Sequence, residues 1–118
     1  MKAAGIDPST RPTTGQDAEL AAIQRILAGE QYMTVYKAIK AEAEAAAELA
    51  IALLKGEEPS SADDSVNNGQ TDVPAVLLEP VSVTKDNIKD TVIADEFRTW
   101  EEICVGEFAD DCPPESER

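Results

Sequence analysis

Asp17 and Lys37 stand twenty positions apart, each where a strand-like run gives way to a helix-like one. Asp17 closes Thr13-Thr14-Gly15-Gln16-Asp17, and Lys37 follows Gln31-Tyr32-Met33-Thr34-Val35-Tyr36. In an open parallel sheet both side chains project from the carboxyl edge, where ligands bind. A carboxylate and an ammonium placed together there can grip the hydroxyls of a polar ligand through charge-assisted hydrogen bonds. Gln16, beside the aspartate, can either hydrogen-bond the same ligand or stabilise the loop.

The elements that must position these residues follow from the hydrophobic pattern. Residues 11–16 read as a polar strand. Asp17 stands at an N-cap position, and Glu19 complements the positive end of the following helix. Leu20, Ile23, Ile26 and Leu27 recur at helical spacing, which predicts a helix over 18–28 ended by Gly29. Residues 31–36 alternate as a strand, with Tyr32 and Tyr36 on one face in core packing. Ala38–Lys55 is rich in Ala, Glu, Lys and Leu. Its predicted helix carries a buried stripe of Ile39, Ala43, Ala46, Ala50, Leu53 and Leu54, and Gly56 and Pro59 terminate it. Glu42, Glu44 and Glu48 form its solvated face.

Residues 57–72 read as a polar loop. Val73–Leu78 is a short apolar strand whose flanking prolines assign it to an edge or a crossing segment, with Val81 and Val83 as an extension. Thr84 can cap a helix from Lys85 to about Ala94 that turns Ile88, Val92 and Ile93 inward. Thr99-Trp100-Glu101-Glu102 is a capping box that starts a last helical turn, with Trp100 packed beneath it. From Asp110 the acidic run reads as a frayed terminus. The division is thus 1–56, a β/α part; 57–72, a loop; 73–109, a crossing strand with C-terminal helices; and 110–118, an acidic tail. Alternating strands and helices predict an α/β fold, a partial three-layer parallel sheet flanked by helices. Three strands leave an edge that another chain, a second copy or the rest of a longer protein must cover.

Composition narrows the function classes. The 118 residues carry a net charge of −14. Lys and Arg are scattered, which argues against nucleic acid and anionic membranes as partners. There is no histidine, the commonest metal ligand and general base. No nucleophile, metal cluster or phosphate loop accompanies Asp17 and Lys37, so an enzyme is poorly supported and neither metal nor cofactor is implied. The start, Met1 to Pro8, lacks the apolar core of a signal peptide. It reads as a last helical turn capped by Gly5, the mark of a fragment or a split gene. Cys104 and Cys112 are too far apart for CxxC chemistry. They read either as a local disulfide pinning the tail, the preferred reading and one that implies an oxidising compartment, or as two unpaired thiols.

Several motifs, in order, resemble the C-terminal part of bacterial sugar-binding proteins of ABC transporters, of the periplasmic binding protein type I fold and closest to the xylose-binding subgroup. They are Thr14-Gly15-Gln16-Asp17-Ala18-Glu19, Gln31 through Lys37 with the Ala-rich helix, Val76 through Ile88, and Trp100-Glu101-Glu102-Ile103-Cys104 continuing to Cys112. The resemblance implies two α/β lobes joined by crossing strands, with a monosaccharide, pentose or hexose, between them. It makes Asp17 and Lys37 sugar contacts. It also implies an ABC permease as partner of the full-length protein and a periplasmic or extracellular location, with a lipid anchor as one option. The family usually has proline where this chain has Ala38, which leaves the loop after Lys37 less rigid. The first lobe and the stacking aromatics are absent from this chain, so it contributes one wall of the cleft and binds sugar weakly or not at all alone. The alternative is a truncated or split-gene interaction module that self-associates or pairs with the missing lobe. Sugar-responsive repressors share the two-lobe fold, but the acidic charge and the lack of a DNA-binding segment argue against one.

Overall fold

A computed structural model describes residues 1–117. The chain divides into two compact units, Met1–Lys37 with the residues from Pro80 onward, and Ala38–Glu79.

The first unit is built on a three-stranded sheet of order β1 (Thr14–Gln16), β2 (Met33–Tyr36), β5 (Val81–Val83). β1 and β2 are parallel, with Gln16 opposite Val35. β5 runs antiparallel to β2, with Thr34 opposite Val83. The sheet is therefore mixed, and its third strand is the Val81–Val83 extension, not Val73–Leu78. Helix α1 (Leu20–Leu27) buries Ala22, Ile23, Gln24, Ile26 and Leu27. Val83, Ile88, Val92, Trp100 and Ile103 are buried as well, and α1 packs against β2 and the Trp100–Ile103 turn, so hydrophobic burial of its stripe is what fixes the helix on the sheet. Gln24 is buried too, and its Nε2 donates to the Ile103 carbonyl at 3.1 Å. This ties α1 to α3 (Trp100–Ile103), whose N-terminus carries the expected Thr99–Glu102 capping box.

The helix expected after Thr84 is a 3-10 turn, Lys85–Asn87, followed by a π-type turn, Lys89–Ile93. Ile88 and Val92 are buried as expected, and Ile93 is half-buried. Thr91 explains the irregularity: its hydroxyl donates to the Asn87 carbonyl at 2.6 Å, which competes with the regular backbone ladder. Cys104 and Cys112 form a disulfide. The tail is not frayed through residue 117: 3-10 turns span Gly106–Asp111 and Glu115–Glu117, and Lys89 donates to the Glu117 carbonyl at 2.7 Å.

The second unit holds α2 (Ile39–Lys55) and an antiparallel hairpin of β3 (Asp64–Asn67) and β4 (Asp72–Ala75). The polar segment 57–72 thus contains β3 rather than only loop. Gly56 ends α2 in the left-handed conformation, as expected. The expected buried stripe of α2 is not found. No residue of α2 is buried, and Ile39 is 57% and Leu54 87% exposed. Glu42, Glu44 and Glu48 are exposed as the sequence implies. Among the described residues no helix is long and apolar enough to cross a membrane.

Candidate ligand-binding site

Parallel pairing of β1 with β2 decides where Asp17 and Lys37 go. Asp17 follows the last residue of β1 and Lys37 the last residue of β2, so both leave the sheet at its carboxyl edge. Lys37 Nζ lies 2.6 Å from Asp17 Oδ1, an ion pair in which the lysine side chain is 45% and the aspartate 53% exposed. The pair is thus open to solvent on one side. Opposite charges in contact leave the edge near neutrality while presenting both acceptors and donors.

The turn that delivers Asp17 is unusual. Asp17 has φ 76° and Ala18 φ 45°, two successive non-glycine residues in the left-handed region. Each costs about 1–2 kcal/mol, so the surroundings must hold them. β2 does so. The Asp17 N–H donates to the Val35 carbonyl at 2.7 Å, and the Ala18 N–H donates to Thr34 Oγ1 at 3.3 Å. Ala18 and Thr34 are both fully buried. This conformation removes Asp17 from the N-cap position expected of it. Glu19 takes that place, its carbonyl accepting from the Ala22 and Ile23 N–H groups, and α1 starts at Leu20. The aspartate is freed to face Lys37 instead.

Gln16 ends β1 in an exposed position and makes no side-chain hydrogen bond among the described residues. It neighbours Asp17 in the chain but is not drawn into the ion pair. The two tyrosines part company. Tyr36 is buried against Phe97, ring centres 5.0 Å apart. Burial raises the pKa of its phenol, and a hydrogen bond to Asp95 raises it further. Tyr32 precedes β2, is 63% exposed and does not pack in the core. It lines a hollow of about 300 Å³ with Arg11, Gln31 and Lys85. Because Pro12 and Gln31, also in its wall, lead into β1 and β2, this hollow lies at the opposite edge of the sheet from the ion pair. Trp100 is buried, as its packing role requires. Thr34 was not singled out by the sequence pattern. The available signal was a hydroxyl residue on the face of β2 that also carries Tyr36.

No family model matches the chain. Over 90 residues, 76% of its length, it is 56% identical to the D-xylose-binding periplasmic protein of Escherichia coli K12. Over 102 residues, 84% of its length, it is 38% identical to the multiple sugar-binding periplasmic protein SbpA of Azospirillum brasilense, 29% of which it covers. Its homologues are sugar-binding periplasmic proteins of ABC transporters. The chain spans about 27% of the length of the D-xylose-binding relative. A solved sugar-binding neighbour, the carbohydrate transporter solute-binding protein of Chloroflexus aurantiacus in complex with D-glucose, superposes with a TM-score of 0.70 and 39% identity, covering 75% of this chain and 26% of that one. An ABC transporter solute-binding protein of Clostridium phytofermentans with bound β-D-glucose gives a TM-score of 0.68 at 32% identity, over 76% and 28%. The α/β fold of the solute-binding proteins and the resemblance carried by the sequence motifs are both established by these matches.

Proposed function

We propose that this chain supplies one wall of the monosaccharide site of a periplasmic solute-binding protein, and that Asp17 and Lys37 are its sugar contacts, with Gln16 beside them. The reading rests on the 2.6 Å ion pair at the carboxyl edge of β1 and β2. A sugar hydroxyl both donates and accepts, so it can bridge a carboxylate and an ammonium without leaving either unpaired. The names of the relatives add the chemical class, D-xylose for one and D-glucose in the solved neighbours. The same kinship supports, as part of this proposal, delivery to an ABC permease and a periplasmic location. On this reading the chain binds and hands over its ligand and catalyses no reaction.

NMR titration of the chain with D-xylose and D-glucose tests the site. Shifts centred on Asp17, Lys37 and Gln16, weakened by Asp17→Asn, are expected. Because one wall alone binds weakly, sugar is added up to about 50 mM, roughly −2 kcal/mol of binding; a response centred on other residues, or one that Asp17→Asn leaves unchanged, would overturn the assignment.

A second reading, pairing with a complementary chain or a second copy, is favoured by one specific observation. β1 is an edge strand with all three residues exposed, and an unpaired edge is a template for another strand. Sedimentation velocity tests it, since a monomer at all concentrations excludes the second copy as the covering partner.

A further inference from the structure

We infer that Thr34 is the positioning residue of the Asp17–Lys37 pair. This rests on reading the pair as a sugar grip, and it adds the device that sets the grip's geometry. Thr34 lies in the middle of β2, three residues before Lys37, and is fully buried. Its Oγ1 accepts the Ala18 N–H, and the neighbouring Val35 carbonyl accepts the Asp17 N–H. The two successive amides of the left-handed turn are therefore both held by β2, the strand that also presents the ammonium. The aspartate and the lysine are positioned by one rigid element instead of by two independent loops.

The Val35 contact is made by a backbone carbonyl, which every residue type supplies. The Thr34 contact needs a side-chain oxygen. At full burial no water replaces that oxygen, so a residue lacking it leaves the Ala18 N–H with no acceptor. Valine has the shape of threonine without the hydroxyl, and serine keeps the hydroxyl without the methyl. A purely space-filling role at position 34 would favour valine, whereas a positioning role through the Ala18 amide favours serine. Ala18 is itself fully buried, so on this inference relief of an unpaired Ala18 N–H shifts the Ala18 methyl and, with it, the Asp17 carboxylate relative to Lys37.

The decisive measurement reads the pair and needs no sugar. The Asp17 carboxyl carbon shift is recorded by NMR with and without Lys37→Met, in the native chain, in Thr34→Val and in Thr34→Ser. A clear response to Lys37→Met is expected in the native chain and in Thr34→Ser, and its loss in Thr34→Val. An equal response in Thr34→Val overturns the inference. Should Thr34→Val fail to fold, Thr34→Ser decides, because loss of the response despite a retained oxygen also overturns it. Failure of sugar to bind leaves this outcome unchanged, so a failure of the positioning role is distinguished from a failure of the sugar reading.

Discussion

Breaking the Asp17–Lys37 pair should cost the fold little. At 2.6 Å two unit charges in a water-like dielectric attract by about 1.5 kcal/mol. Both side chains are about half exposed, and ordering a lysine side chain consumes up to roughly 1.5–2 kcal/mol of rotamer entropy. The net value belongs with exposed pairs, about 0.2–1 kcal/mol. The assay is a double-mutant cycle of Asp17→Asn and Lys37→Met on urea unfolding, which cancels whatever else each side chain touches. A coupling near ~0.5 kcal/mol is expected, smaller in 1 M salt, where the screening length shrinks to about 3 Å. Sugar binding should respond more strongly, because a hydrogen bond to a charged group contributes about 1.5–3 kcal/mol, roughly tenfold to a hundredfold in affinity per truncation. A stability coupling above ~2 kcal/mol would refute the reasoning. It would mark the pair as a structural bridge too costly to open for a ligand.

Three further outcomes follow from the fold. Reducing Cys104–Cys112 opens a loop with a sequence separation of 8; the chain-entropy relation gives about 2.5 kcal/mol for such a loop, so the urea midpoint should fall markedly with reductant, and an unchanged midpoint contradicts this. Gly56→Ala forces a side chain into φ 73° with no atom close enough to clash, so it should lower the stability of α2 by about 1–2 kcal/mol, read by far-ultraviolet circular dichroism, while Leu54→Lys on the same helix should change it by no more than ~0.5 kcal/mol. Tyr36 has a raised folded-state pKa, so its neutral form contributes stability that is full below the unfolded value near pH 10 and is lost as pH rises through the higher folded value; Tyr36→Phe should remove that alkaline step in a pH series of unfolding curves.

The parts of this fold that were legible in the sequence are those that local rules determine. The stripe Ile23, Ile26 and Leu27 needed only helical periodicity, and the Thr99–Glu102 box only a spacing of three. What escaped depended on neighbours. Asp17 is a good N-cap residue, yet the turn tethered to Val35 and Thr34 moved the helix start to Leu20 and sent the carboxylate to Lys37. The periodicity of α2 identifies an apolar face without saying what covers it, and Leu54 is left exposed. Tyr32 matched an alternating pattern that extended beyond the strand itself, which begins at Met33. The β3–β4 hairpin did carry a local signal. Asn68-Gly69 is a turn dipeptide, Gly69 has φ 92°, and the Asn67 side chain accepts the Gly69 N–H. The surrounding polarity outweighed it. Pro74 in β4 fits the rule that proline in a sheet sits at an edge, since a two-stranded sheet has only edges.

The site's chemistry follows from parallel pairing more than from the two charged residues themselves. In an antiparallel pair the residues following two adjacent strands lie at opposite ends of the ladder. In a parallel pair they lie at the same end. With Gln16 opposite Val35, the residue after β1 and the residue after β2 emerge within one rung of each other. Across nineteen residues of intervening chain, including all of α1, an anion and a cation are thereby brought to contact distance. Because the pair is half exposed, its internal attraction is weak, as the proposed exchange with a ligand needs. Because both turn amides are anchored on β2, opening the ion pair does not require the turn to move. On the proposed reading, a pair that is rigid in its backbone and loosely paired in its charges can exchange an internal partner for a sugar hydroxyl at small net cost, the balance that reversible capture requires.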